Sequence, residues 1–335
     1  MARTPIRIPD LVAKWEPEVR KAFEESIRTI RNPARMARLV ELAEANDVDG
    51  ILAELKINPA SFRPLDRAIS DAYEAGGENA AAGAKVPGQS RFVVQFDMRN
   101  PTAEGWLRSY SSTLIREITD DQRVLIRDVL AAGTAAGRNP KATALDLVGR
   151  INPATGRREG GAIGLTASQE GWCRRYAEEL ASGNPAALTR KLRDRRFDGA
   201  VTKAIKSGQP IPAETITKLV AAYRNRALRH RAITIARTET LRAMNAAAFE
   251  SARQMIERGE VSEALVSKVW HSAKDERVRH THSVLDGQRV PFRSMFRSPS
   301  GAFLAYPCDP AAPAEETVCC RCWMSTAVDF FAGLT

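Results

Sequence analysis

I-A-R-T-E-T-L-R-A-M-N, Ile235 to Asn245, lies inside a run from Ala213 to Arg258 that contains neither proline nor glycine. A stretch of about 46 residues without either breaker reads as helix, roughly 70 Å long if unbroken. A break near the β-branched run Ile233 to Ile235 is expected. Leu241, Met244, Ala248, Ala252 and Met255 recur at helical spacing and predict one apolar face. Arg237, Thr238, Glu239 and Asn245 lie off that face, where the ordinary reading is a capped, solvated surface. Glu239 and Arg242 are three apart and can pair.

The rest of the chain points the same way. Its 335 residues exceed one small core, and Ala, Leu and Arg outweigh the sparse aromatics, 6% of the total. The fold class expected is mainly α, multi-helical in the N-terminal and middle regions, with a small α+β C-terminal domain. Trp15, Val19, Phe23 and Ile27 form a helical stripe in an N-terminal arm, residues 1–75. Residues 76–90, G-G-E-N-A-A-A-G-A-K-V-P-G-Q-S, read as a linker, and Arg91 to Asp97 as a short strand. A helical middle domain, 91–232, begins with two helices between Pro101 and Gly133, the second capped by Asp120 or Asp121. Thr166 and Gln169 form a capping box ahead of Trp172, Tyr176 and Leu180, with Cys173 as a small core residue.

The net charge is +10. Ala186 to Arg258 holds 16 Lys and Arg against 6 Asp and Glu, an excess equal to the whole. Arg190, Lys191, Arg193, Arg195, Arg196, Arg224, Arg226, Arg229 and Arg231 are therefore candidates for a polyanion, double-stranded DNA first. The competing reading is a solvated cationic surface, because no aromatics interleave for stacking. No apolar run reaches bilayer length and no secretory signal opens the chain, so no membrane partner is expected.

Chemistry concentrates in residues 233–335, which hold three of four histidines and four of five cysteines. Ala264 to His271 reads as a strand. Asp275 reads as the N-cap of a helix ending at Gly287, so that Asp275, Arg279 and His282 share a face. His271 and His280 are strand or surface residues. Cys320 and Cys322 can face one side of an extended chain, and with His282 they offer two thiolates and an imidazole. That set suits zinc as a structural ion, with Cys308, Cys319, Asp275 or water as fourth ligand. A reduced, packed thiol cluster and a redox role are the alternatives. No Walker loop, dinucleotide fingerprint, H-E-x-x-H or G-x-S-x-G occurs.

I-A-R-T-E with Asn245 downstream, W-x-x-x-x-D-x-R-V-R-x-x-H-x-x-L-D-G over Trp270 to Gly287, and C-R-C at Cys320 to Cys322 together resemble the phage Mu F-like family of minor head proteins. The resemblance covers about 233–325; Ile163 to Gln169 and Leu192 to Asp198 are similar more loosely. It implies a head morphogenesis protein of a tailed phage or prophage, a minor capsid component. It would be made in the host cytoplasm and held inside the virion near the portal. Portal and head proteins would be its partners, with a part in DNA packaging or delivery. It also implies that Arg237, Glu239, Asn245, Asp275, Arg279, His282, Cys320 and Cys322 are the matching polar residues. Cys308 and Cys319 stand outside that pattern. The chain ends soon after C-R-C, so no appended effector domain and no enzymatic step are expected. The rival reading is a metal-dependent nuclease using Asp275, His282 and the cysteines.

Overall fold

A computed structural model describes residues 4–84 and 94–329. Its helices are α1 (Ile8–Arg31), α2 (Met36–Glu44), α3 (Val48–Glu54), α4 (Arg63–Gly83), α5 (Pro101–Ala135), α6 (Pro140–Val148), α7 (Ala167–Ala181), α8 (Asp198–Ser207), α9 (Ala213–Glu257), α10 (His280–Leu285) and α11 (Ala314–Thr317). The strands are short: β1 (Arg150–Ile151), β2 (Arg158–Glu159), β3 (Val266–His271), β4 (Arg289–Pro291), β5 (Phe296–Arg297), β6 (Phe303–Leu304) and β7 (Trp323–Val328). The chain is mainly α, with its longer strands gathered in a small α+β end region.

The residues cluster into two compact units, each discontinuous in sequence. One comprises Met1–Ala22, Leu65–Ser111 and Ile233–Thr335; the other Phe23–Pro64 and Ser112–Ala232. The first 75 residues are thus divided between them and do not form a separate arm.

In the second unit, α7 starts with both hydrogen bonds of the Thr166–Gln169 capping box. Tyr176, Leu180 and Cys173 are buried beneath it with Leu219 and Tyr223 of α9. Residues 160–165 form a buried loop tied by polar side chains: Arg31 donates to the carbonyl of Gly161, Gln122 to that of Leu165, and Arg231 to that of Gly164. Gly164 is needed there, since its φ is +94° and a Cβ would lie 2.8 Å from Leu228.

In the first unit, β3 is the centre of an antiparallel sheet ordered β4–β3–β7, with Trp270 opposite Met324 and Ser267 opposite Pro291. The period of two turns Val266, Lys268 and Trp270 inward. Val269 is on the other face. β5 and β6 form a hairpin that supplies Phe296 and Leu304 to a core shared with Leu241, Trp270 and Leu285.

Several boundaries differ from expectation. α9 runs unbroken through Ile233 to Ile235. Ile233 to Ile235 are half-buried there, and from Thr238 to Ala248 every residue is buried, so that later stretch is enclosed on all sides. α5 is likewise one helix, starting after Asn100, whose side chain accepts from the Thr102 amide. Asp121, read as a cap, is mid-helix and pairs with Arg231 at 2.6 Å. Residues 76–83, read as linker, are the last turns of α4, while 85–90 lie outside the described residues. Their small side chains have a packing reason: a Cβ on Gly76 would lie 2.6 Å from the Cα of Met244. Of the strand expected over 91–97, residues 91–93 are outside the described set and 94–97 are not a strand. There the side-chain amide of Gln254 engages both the N–H and the C=O of Asp97.

Candidate functional site

The site is built on β3, α10, α11 and the turn into β7. α10 carries His282 inward, 1% exposed. Cys320 and Cys322 alternate on the chain entering β7, so both sulfurs face the imidazole. Nδ1 of His282 lies 3.4 Å from the sulfur of Cys320 and 3.5 Å from that of Cys322. On the other side of the ring, Nε2 is 2.7 Å from Oε2 of Glu316. The Trp270 indole meets the imidazole edge-on, with ring centres 5.3 Å apart.

Glu316 was not legible in the sequence. It is 4% exposed and accepts from the hydroxyls of Thr281, Ser298 and Ser300 besides facing His282. Nothing in A-E-E-T separates it from its neighbour Glu315. The only local hint is its place on a short helix just ahead of the cysteines.

α9 fixes the cysteine backbone. The Thr238 hydroxyl accepts from the Cys319 amide at 3.0 Å. Arg242 Nε donates to the Cys308 carbonyl at 3.0 Å. Asn245 donates to the Cys322 carbonyl at 3.1 Å and accepts from the Met324 amide at 2.9 Å. Cys308 and Cys319 both have left-handed backbone, φ +65° and +56°, rare for residues other than glycine and each tied to this helix. The motif around Arg237 to Asn245 is therefore a buried clamp, not the solvated face expected. Glu239 pairs with Arg242 as anticipated, and both engage the Tyr110 hydroxyl. Arg237, at the edge, reaches Glu16 at 3.3 Å.

Two expected placements are corrected. Asp275 does not cap a helix, because α10 begins at His280; its carboxylate accepts from the Arg277 amide and is gripped by Arg321 instead of Arg279. That guanidinium holds the Asp275 carboxyl down to about 2. Arg279 instead donates to the Val318 carbonyl. Asp275, Arg279 and His282 do not share a helix face, and Asp275 is outside the cluster of metal-capable groups formed by His282, Cys320 and Cys322. The Asp275–His282 pair on which a nuclease would rest is thus not assembled. His271 is on β3 and meets the Ser325 hydroxyl at 2.7 Å, and His280 is exposed.

The electrostatics of the cluster are asymmetric. Cys320 sits well below the usual thiol range because the Cys308 and then the Cys322 thiols donate to it, with His282 adding to the effect. Cys308 and Cys322 are correspondingly pushed up as donors to Cys320. Burial opposes charge on His282, yet Cys320 and Glu316 outweigh it and raise its value. Burial likewise opposes charge on Glu316, but Ser300, Ser298 and His282 lower it.

The nine basic candidates divide sharply. Arg224 and Arg231 are each 7% exposed. Arg224 is held by Glu170 and Asp146, and Arg231 by Asp121 and Gly164, so neither faces a phosphate backbone in this conformation. Arg190 pairs with Glu179, Arg193 with Asp198, and both Arg196 and Arg226 with Asp194. Lys191, Arg195 and Arg229 are exposed and make no ion pair among the described residues.

Fold and site define a mainly helical protein with an α+β end region organised around three cysteines, one histidine and a helix that clamps them. Residues 195–325 match the family described as Phage Mu protein F like protein. The matched segment takes in the motifs at Ile235 to Asn245, Trp270 to Gly287 and Cys320 to Cys322 that carry the resemblance. No curated protein and no solved structure matches the chain.

Proposed function

We propose that the protein is a minor capsid protein of a tailed phage or prophage, acting inside the head near the portal during assembly, with a part in DNA packaging or delivery. The observation that carries this reading is the family match over 195–325, which takes in the clamp helix, His282 and the C-R-C turn. Portal and other head proteins are its partners in this reading. The uncommitted charges of Lys191, Arg195 and Arg229 support contact with DNA or an acidic protein surface. Among the described residues no helix is long and apolar enough to cross a membrane.

Quantitative mass spectrometry of gradient-purified heads, with and without genome, tests the placement. A few to some tens of copies per particle is the expected result. A protein found free in the lysate and absent from every particle overturns it. The DNA contact is tested apart, by binding to duplex DNA at several salt concentrations. Affinity should fall steeply with salt, and reversing Lys191, Arg195 and Arg229 to Glu should reduce the slope by about 0.9 for each phosphate no longer neutralised. Absence of binding at low salt removes the DNA contact and leaves the head assignment standing.

A further inference from the structure

We infer that His282, Cys320 and Cys322 bind a soft divalent cation of the zinc class, and that Cys308, buried beside Cys320 but outside this three-atom cluster, closes the site as fourth ligand by a side-chain shift. Their three ligand atoms lie within 4.8 Å of one another, and all three residues are buried. A tetrahedral ion with Zn–S near 2.3 Å and Zn–N near 2.0 Å separates its nitrogen and sulfur ligands by roughly 3.5 Å. The observed separations are 3.4 and 3.5 Å.

Hydrogen bonding alone does not account for this arrangement. Nδ1 carries one lone pair or one hydrogen, yet two sulfurs approach it about equally. A neutral imidazole whose Nε2–H donates to Glu316 presents the Nδ1 lone pair to the cysteines, and a cation among the three atoms satisfies all of them. The Glu316 carboxylate behind the ring is the partner that metal-bound histidines commonly have. Among the described residues the Trp270 indole N–H is buried without a hydrogen-bond partner, in the same core cluster as Cys322.

The choice of fourth ligand follows from position. Cys319 is only half-buried, with its amide tied to Thr238, and Asp275 is held by Arg321. Cys308 is fully buried, its sulfur lies 4.0 Å from the Cys320 carbonyl oxygen, and its own carbonyl is fixed by Arg242. Four protein ligands in a buried setting make a closed, structural site.

The inference does not depend on the head-assembly reading, because it is tested on the isolated full chain. Protein expressed without added metal should contain one equivalent of zinc by elemental analysis. Exchange with Co²⁺ should give sulfur-to-cobalt charge-transfer absorption. Cys308→Ser should lower that intensity by about a third, from three thiolates to two, and Glu316→Gln should weaken zinc binding 10–100-fold. Chelator treatment of the unaltered chain should lower its melting temperature, with recovery on zinc and none on magnesium, which keeps the test independent of how well the variants fold. Metal-free protein with no charge-transfer band on adding Co²⁺ overturns the site. An unchanged band in a folded Cys308→Ser variant overturns the fourth ligand.

Discussion

Asn245, in the C-terminal half of α9, bridges the backbone of the C-R-C turn, donating to the Cys322 carbonyl and accepting from the Met324 amide. One buried carboxamide thereby replaces a strand neighbour for the chain just as it enters β7. Removing it leaves a buried carbonyl and a buried N–H without partners. Asn245→Ala should cost about 2–4 kcal/mol, read as a lower urea midpoint at unchanged slope. A loss below about 0.5 kcal/mol would mean that the turn holds itself.

Gly76 on α4 faces the α9 backbone so closely that even a methyl group has no room, a Cβ there lying 2.6 Å from the Met244 Cα. Overpacking against backbone predicts a loss of about 1–3 kcal/mol for Gly76→Ala. Gly105, exposed within α5 with open space around it, is the control. Gly105→Ala should raise stability by about 0.5–1 kcal/mol through helix propensity alone. Thermal melts of the two variants should therefore shift in opposite directions.

These residues mark what the sequence made legible. The G-G-E-N-A-A-A-G stretch looks like linker because small residues lack a hydrophobic stripe, yet a helix that touches another helix backbone needs that composition. The absence of proline and glycine announced α9, and the density of Cys and His announced the end region, because both signals are local. Glu316 meets His282, and Lys268 the Ala305 carbonyl, through partners distant in sequence, which no local pattern encodes. Asp275 and Arg279 were placed on one helix by spacing, but Asp275 to Arg279 precede α10, so the spacing did not apply.

Lys268 is 1% exposed, donates to the Ala305 carbonyl at 2.7 Å and sits over the rings of Phe249 and Phe296. Burial lowers its pKa to about 8, against an unfolded value near 10.4. Between these values the unfolded chain binds more protons than the folded one, so this group makes stability rise with pH from about 8 to about 10.4. The rise attributable to it is on the order of 2–3 kcal/mol. Urea denaturation of the wild type and Lys268→Met across this range isolates the effect, because other titrating groups are common to both. Parallel stability curves would show that Lys268 keeps an ordinary pKa.

Arg224 is enclosed between Glu170, at 3.0 Å from Nε, and Asp146, at 2.9 Å from Nη1. Its charge is committed inside the fold, so its partners should matter for stability and not for a polyanion. Glu170→Ala leaves a buried guanidinium short of its main counter-charge and should cost about 3–5 kcal/mol. The more exposed Arg190–Glu179 pair is the comparison, and Glu179→Ala should cost less than about 1 kcal/mol. Replacing Arg224 by Met together with Glu170→Leu should recover part of the loss, since Asp146 retains Arg138 at 2.9 Å while the buried Arg31 loses the favourable charge of Glu170 and keeps carbonyl partners such as Gly161. Equal melting temperatures for the Glu170→Ala and Glu179→Ala proteins would show that water reaches Arg224. In that case Arg224 would return to the set of residues available to a phosphate backbone.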